Sequence, residues 1–115
     1  MTYVDAMLCA VPSANREAYR EHGETTAKIF REYGALKVVD CWGDSIPEGE
    51  LTSLPLAVKC KEDETVCLSW ILWPSKEVRE EAWPKLMADA RMSPGSMPFD
   101  GKRMIFGAFE MIVDA

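Results

Sequence analysis

The sequence lacks most of the residue patterns that identify an enzyme or a metalloprotein. Among its 115 residues there is one histidine, and no two of the four cysteines form a C-x-x-C pair, so the usual spacing of a zinc site is missing. There is also no glycine-rich phosphate loop and no nucleophile elbow. We therefore predict neither a metal site nor a cofactor.

Positive charge and long apolar runs are equally scarce. The 13 basic and 19 acidic residues give a net charge of −6, which repels the phosphate backbone of nucleic acids. The longest stretch without a charged residue, 65–75, has about half the length of a membrane span. The first residues do not have the pattern expected of a signal peptide, because Asp5 interrupts their apolar run. We expect no nucleic-acid partner and no membrane partner.

The sequence does contain enough apolar material for one core. Hydrophobic residues make up 48% of the chain, which favours one domain over residues 1–115. Three of the four cysteines lie in apolar strand-like runs, where a thiol behaves as a small hydrophobic group. Reduced, mostly buried thiols predict a cytoplasmic protein. The alternative is a redox pair across neighbouring strands, which spacing alone does not exclude. The cysteines are Cys9, Cys41, Cys60 and Cys67.

Apolar periodicity and chain breakers predict the order strand–helix–strand twice. Ser13 and Ser75 are the predicted N-caps of the two helices, and Gly34 ends the first helix. Pro84 should kink or split the second helix. The predicted strands are 3–11, 36–42, 65–73 and 103–113, the helices extend to residues 33 and 90, and a short extended piece lies at 56–60. Two such halves make an α+β ferredoxin-like βαββαβ sandwich, in which a four-stranded antiparallel sheet carries two helices on one face.

Side-chain alternation predicts which face of the sheet the helices cover. We expect one core on that face, formed by Val4, Leu8, Ile29, Leu86, Ile105 and Phe109. The opposite face then exposes large apolar side chains from at least three strands, which a monomer rarely leaves in contact with water. A second copy, packed sheet against sheet, would cover them and enclose a cavity, so we predict a homodimer.

The polar residues of this open face form the first candidate site. Together with two aromatic residues they are predicted to line the cavity, and a carboxyl group in an apolar cavity can act as general acid or base. The alternative is that the two acidic residues lie at the rim, solvated or paired with basic residues of the partner. The candidates are Tyr3, Asp5, Ser69, Phe106 and Glu110.

The loop from Met97 to Arg103 is the second candidate, since long ordered loops are often functional. Phe99 is placed to plug a cavity mouth, and Asp100 and Arg103 to meet a polar ligand. The alternative is an ordered crossover or a dimer arm in which Phe99 caps the core.

The first helix and the turn after the second strand offer weaker signals. His22 is interpreted as a half-buried structural residue, because no nucleophile is paired with it. Gly23 is expected to let the helix approach the sheet closely. Asp40 and Asp44 more often cap a turn than hold a cation.

Several segments resemble the YbaA-like family of bacterial proteins of unknown function, from Tyr3 to Glu110. The most specific of them is Met97–Met104; the others are Gly34–Leu36, Asp40–Asp44, Asp63–Val66, Ser69–Trp70 and Phe109–Glu110. The resemblance implies the dimeric α+β barrel superfamily, and it brings no known activity and no catalytic residues. The sequence departs from the family pattern at Ser45 and Pro84.

Two functions remain open at this point. The first is a cytosolic homodimer that binds a small, largely apolar molecule in a cavity on the open sheet face, and the superfamily resemblance would allow cofactor-free oxygenation or isomerisation there. The second is a non-enzymatic dimeric structural module with no ligand. An enclosed cavity of a few hundred Å³ favours the first function.

Overall fold

The computed structural model describes residues 2–92 and 97–115. Its strands form one antiparallel sheet in the order β2-β3-β1-β4, the order of a ferredoxin-like sandwich, so the predicted fold is confirmed. The elements are β1 (Tyr3–Pro12), α1 (Arg16–Glu32), β2 (Lys37–Trp42), α2 (Leu54–Ala57), β3 (Glu64–Trp73), α3 (Lys76–Ala88) and β4 (Ile105–Glu110).

Helix α3 begins and α1 ends at the residues that the sequence indicates. The Ser75 hydroxyl accepts a hydrogen bond from the backbone N–H of Val78 at 3.2 Å, as an N-cap does. Gly34 follows α1 with φ +109°, a left-handed conformation that glycine adopts without strain. Pro84 lies inside α3 and does not split it.

The start of α1 differs from the prediction. A 3-10 turn, Ser13–Asn15, precedes the helix, so Ser13 is not its N-cap. The Ser13 hydroxyl instead bonds the Thr65 hydroxyl at 2.7 Å, because β1 and β3 run side by side at that end.

Two further elements differ from the prediction. The piece expected to be extended at 56–60 contains the end of α2, whose first turn carries Pro55 and is capped by the Ser53 hydroxyl. Strand β4 is shorter than predicted, because Arg103 belongs to a 3-10 turn, Gly101–Arg103, and pairing with β1 stops at Glu110.

The predicted assignment of the sheet faces is wrong. The core under α1 and α3 contains Ile29 and Leu86 as expected, but the strands contribute Ile71 and Trp73 to it. Val4, Leu8, Ile105 and Phe109 occupy the other face, where Ile105 is 45% exposed and Phe109 is 55% exposed. Both faces of these strands are apolar, so alternation alone could not decide between them. The polar side chains of Asp5 and Ser69 suggested an open face, yet both are buried and hydrogen-bonded under the helices.

Segment 43–63 covers one end of this second face. Val58, directly after α2, packs against Leu8, Ala10 and Val66 to form a small separate core. Leu68 of β3 and Ile105 of β4 are exposed beside Leu8, at the border of this cover, and Phe109 of β4 is exposed opposite Val4 at the other end. The apolar open face therefore exists, but it is the opposite face from the one predicted.

Candidate functional site

A cavity of about 200 Å³ lies between α1 and the helix-covered face of the sheet. Its walls are mostly apolar, with contributions from Phe30 of α1, Ile71 of β3 and Trp83 of α3. Met97, Phe99 and Met104 line it from the segment that leads to β4. The cavity thus has the size and lining of a small-molecule site.

One wall of the cavity carries a chain of polar side chains. The Ser69 hydroxyl donates a short hydrogen bond to Oδ1 of Asp40 across the β2–β3 pair. The Tyr19 hydroxyl lies 3.2 Å from Oγ of Ser69 and 3.9 Å from Sγ of Cys9. Cys9, Tyr19 and Ser69 are buried, whereas Asp40 is exposed, so the chain runs from the interior to the surface. We name Cys9, Tyr19, Ser69 and Asp40 the polar chain; all four residues line the cavity.

The thiols beside this wall are poor nucleophiles. Burial raises the pKa of Cys9 to about 11 and the pKa of Cys67 to about 12, so both stay protonated at neutral pH. The two residues face each other directly across β1 and β3, and all four cysteines are free. Their arrangement gives no support to thiolate chemistry in the cavity.

Helix α1 approaches the sheet closely at Gly23, as expected. A Cβ atom added at Gly23 would lie 2.5 Å from Oδ2 of Asp40, so a larger residue would push that carboxylate away. His22 and Thr26 also line the cavity from α1, and the Thr26 hydroxyl donates to the backbone carbonyl of Gly23 at 3.2 Å.

Only one of the five residues predicted to line the cavity does so, namely Ser69. Tyr3 and Glu110 are cross-strand partners at the end of the sheet, next to the start of α3. Phe106 is 75% exposed on β4, which is an edge strand of the sheet. The predicted set is therefore not brought together at one site.

Asp5 does not line the cavity; its carboxylate is the centre of a buried hydrogen-bond network. Its carboxylate accepts hydrogen bonds from the indole N–H groups of Trp73 and Trp83 at 2.8 and 3.1 Å. It also accepts two from the guanidinium of Arg79, at 2.9 and 3.2 Å. Four donors saturate the buried carboxylate, which ties α3 to the middle of the sheet.

Of the three candidates in the loop, one lines the cavity and two do not. Phe99 lies on the cavity wall and packs edge-on against Tyr19, with ring centroids 5.8 Å apart. Arg103 instead pairs with Asp100 at 3.0 Å and with the half-buried Glu64 at 2.6 Å, and it also donates to the backbone carbonyl of Lys59. Asp100 and Arg103 therefore fasten the loop to β3 and are not cavity residues.

The sequence reading missed Tyr19, the central residue of the polar chain. Residues 19, 22, 23, 26 and 30 all line the cavity and follow the three- and four-residue spacing of one helix face. The inward row that the sequence predicts for this helix begins at Ala18, which is exposed, and continues through His22 and Thr26, which do line the cavity. Tyr19 lies one position beyond the start of that row. Cys9 was missed because a thiol in an apolar strand was interpreted as a small hydrophobic group.

The described residues, 2–92 and 97–115, contain neither a metal-binding cluster nor a helix that could span a membrane. Within these ranges no group of three or more His, Cys, Asp or Glu residues could hold a metal ion. In the same ranges no helix has the length and apolar character needed to cross a membrane.

Comparison with known proteins assigns the chain to a family. The family described as "Protein of unknown function (DUF1428)" matches residues 2–101. The chain is 51% identical over 116 residues to "Uncharacterized protein YbaA" of Escherichia coli strain K12, covering 99% of each chain. The protein of the same name from Shigella flexneri has the same identity and coverage. The chain therefore belongs to the DUF1428 family of proteins of unknown function.

Proposed function

We propose that this protein binds a small, largely apolar molecule in the cavity between α1 and the sheet. The observation that carries the proposal is an apolar cavity of about 200 Å³ with a single polar wall. An engineered apolar cavity of about 150 Å³ holds benzene, so this one has room for a compact one- or two-ring molecule. The site lies on the helix-covered face and thus differs in position from the one that the sequence predicted.

Native mass spectrometry of the protein purified from cells tests this proposal. We expect a bound mass of a small organic molecule in the wild type. Thr26→Phe should abolish it, because Thr26 lies on the cavity wall and the larger ring would fill the space. Thr25→Phe is the matched control, since Thr25 is exposed on the same helix and should leave binding intact. Equal adducts in both variants would refute the cavity as the site.

We also propose that two copies pair through the uncovered sheet face. This face exposes Leu68 of β3 and Ile105 and Phe109 of β4, and a groove of about 320 Å³ runs between them and Leu54. Exposed apolar patches of this kind usually mark an interface, and pairing should bury more than about 1,000 Å² in total. The residues that support the dimer are thus not those of the predicted face.

Sedimentation at micromolar concentration tests the dimer. Phe109→Asp should convert it to a monomer, because a carboxylate buried without a partner is costly. Met87→Asp is the control, since Met87 is also a large exposed apolar residue but lies on α3, on the other side of the sheet. A monomeric wild type would contradict the proposal.

The alternative function is a dimeric structural module without ligand. The exposed apolar sheet face favours it, because that face needs only a partner copy. The two functions differ in the cavity: a dimer that carries no adduct and binds no small apolar probe would favour the structural module.

We further propose a cytoplasmic location. The support is that all four cysteines are free although Cys9 and Cys67 face each other across paired strands. Free thiols in such a position are typical of a reducing compartment. Fractionation of cells with an antibody against the protein would test this.

A further inference from the structure

Asp40, the exposed member of the polar chain, determines which groups of the chain donate hydrogen bonds and which accept them. An ionised carboxylate only accepts hydrogen bonds, so the single hydroxyl hydrogen of Ser69 is committed to Asp40. The Ser69 oxygen is then left with lone pairs and no hydrogen on the side of Tyr19.

The same argument applies to the next member of the chain. In the 3.2 Å contact between Tyr19 and Ser69, the tyrosine must be the donor. Burial raises the pKa of Tyr19 well above its ordinary value, so the phenol keeps the proton it donates. The Tyr19 oxygen therefore offers only lone pairs to anything else in the cavity. Its further neighbour, the Cys9 thiol at 3.9 Å, is a weak donor and uses little of that capacity.

The other described residues of the wall do not supply a competing donor of fixed direction. The Thr26 hydroxyl hydrogen is used by the carbonyl of Gly23. His22 also lines the cavity, but an imidazole ring can both donate and accept, so His22 does not select one kind of ligand. The side chains of the polar chain thus present acceptors to the interior.

We infer that the ligand of this cavity carries an O–H or N–H group, which it donates to the polar wall at Tyr19. The inference rests on the proposed function and makes it narrower: the ligand is an apolar ring compound with a neutral hydrogen-bond donor, such as a phenol, an alcohol or an indole. Compounds of the same shape whose polar atom only accepts should bind less well, because two acceptors then face each other without a hydrogen between them.

Three probes of nearly equal shape test the inference. Indole has an N–H donor, benzofuran has an oxygen acceptor at the corresponding position, and indene has neither. In ¹H–¹⁵N correlation NMR titrations, the dissociation constant of indole should be about tenfold lower than those of benzofuran and indene. A tenfold difference corresponds to one hydrogen bond to a neutral partner. Thr25→Phe should retain this order, because Thr25 is exposed on α1 and lies outside the cavity wall.

Two variants distinguish the effect of the polar chain on probe affinity from the effect of cavity shape. Tyr19→Phe removes the phenol oxygen and leaves the Ser69 oxygen as an acceptor on that wall, so the advantage of indole should become smaller. Ser69→Ala frees the Tyr19 hydrogen, so Tyr19 can donate and benzofuran should gain affinity relative to indene. Circular dichroism establishes that each variant is folded, and the order of the three probes on the wild type decides the question if a variant is not.

The possible results distinguish the two proposals. If none of the three probes binds, the proposed function and the inference both fail. If the probes bind with equal affinity, or benzofuran binds most tightly, the inference is overturned and binding in the cavity still stands. If Ser69→Ala leaves the order unchanged, the direction assigned to the polar chain is wrong.

Discussion

Gly23→Ala should destabilise the protein, although the same change inside an ordinary helix stabilises it. Alanine is favoured over glycine in a helix by about 1 kcal/mol. Here the new Cβ would lie 2.5 Å from Oδ2 and 3.3 Å from Cγ of Asp40, so the carboxylate must move. Moving it removes the hydrogen bond from Ser69, and a bond to a charged group contributes about 1.5–3 kcal/mol. The difference is a net loss of about 1 kcal/mol.

Gly23→Ala should have the opposite effect on stability in a variant that carries a shorter side chain at position 40. In the Asp40→Ala background, the new Cβ at position 23 meets only the Cβ at position 40, at 3.9 Å, which is an ordinary contact. Gly23→Ala should then stabilise the protein by about 1 kcal/mol through helix propensity alone. The two changes are therefore coupled by about 2 kcal/mol.

Urea unfolding of the wild type, both single variants and the double variant measures this coupling. Gly34→Ala is a useful comparison, because Gly34 has φ +109° and alanine there should be destabilising in both backgrounds. The reasoning is refuted if Gly23→Ala stabilises the wild type, since Asp40 would then make way at no cost.

Three other variants test the packing around the cavity. Asp5→Ala should lower the free energy of unfolding by about 3 kcal/mol or more, because it leaves the Arg79 guanidinium and two indole N–H groups without their acceptor; a loss below about 1 kcal/mol in urea would contradict this. Phe99→Ala should cost about 2 kcal/mol, less than a fully buried phenylalanine, and an unchanged melting temperature would show that the ring contributes no packing. Glu64 accepts hydrogen bonds from Arg103, which lower its pKa from 4.5 to about 2. The contribution of this pair to the free energy of unfolding is therefore present above pH 4.5 and is lost as the pH falls towards 2. Glu64→Gln should for that reason make the urea midpoint less dependent on acid pH. If the midpoints of the wild type and the variant change in parallel with pH, the pairing is contradicted.

The sequence was sufficient for the fold but not for the site. The order of elements could be predicted because Gly34 and Ser75 mark helix ends by local chemistry. The choice of sheet face could not, since β1 is apolar on both sides and the decisive facts are tertiary. Asp5 is buried because Trp73, Trp83 and Arg79 reach it from other elements.

The polar chain was beyond prediction for a related reason. Tyr19, Ser69 and Asp40 come from a helix and two strands, and no local spacing relates them. Ser69 was selected for its polarity on a strand, which was a useful signal even though its face was assigned wrongly. Phe99 was selected from its loop, and its contact with Tyr19 agrees with a place near the cavity.

The position of α2 limits how a second copy could approach. Val58 and the residues beside it cover only the end of the sheet that holds Leu8 and Val66. A second sheet laid on the uncovered face would meet this projection at one end of the strands and open surface at the other, towards Val4. In the proposed pair, a twofold axis would then cross the sheet on the Val4 side of α2, with the two α2 segments at opposite outer edges. Because Leu54 of α2 borders the groove that also contains Ile105 and Phe109, the short helix would set the offset between the copies, and lengthening segment 43–63 would change that offset.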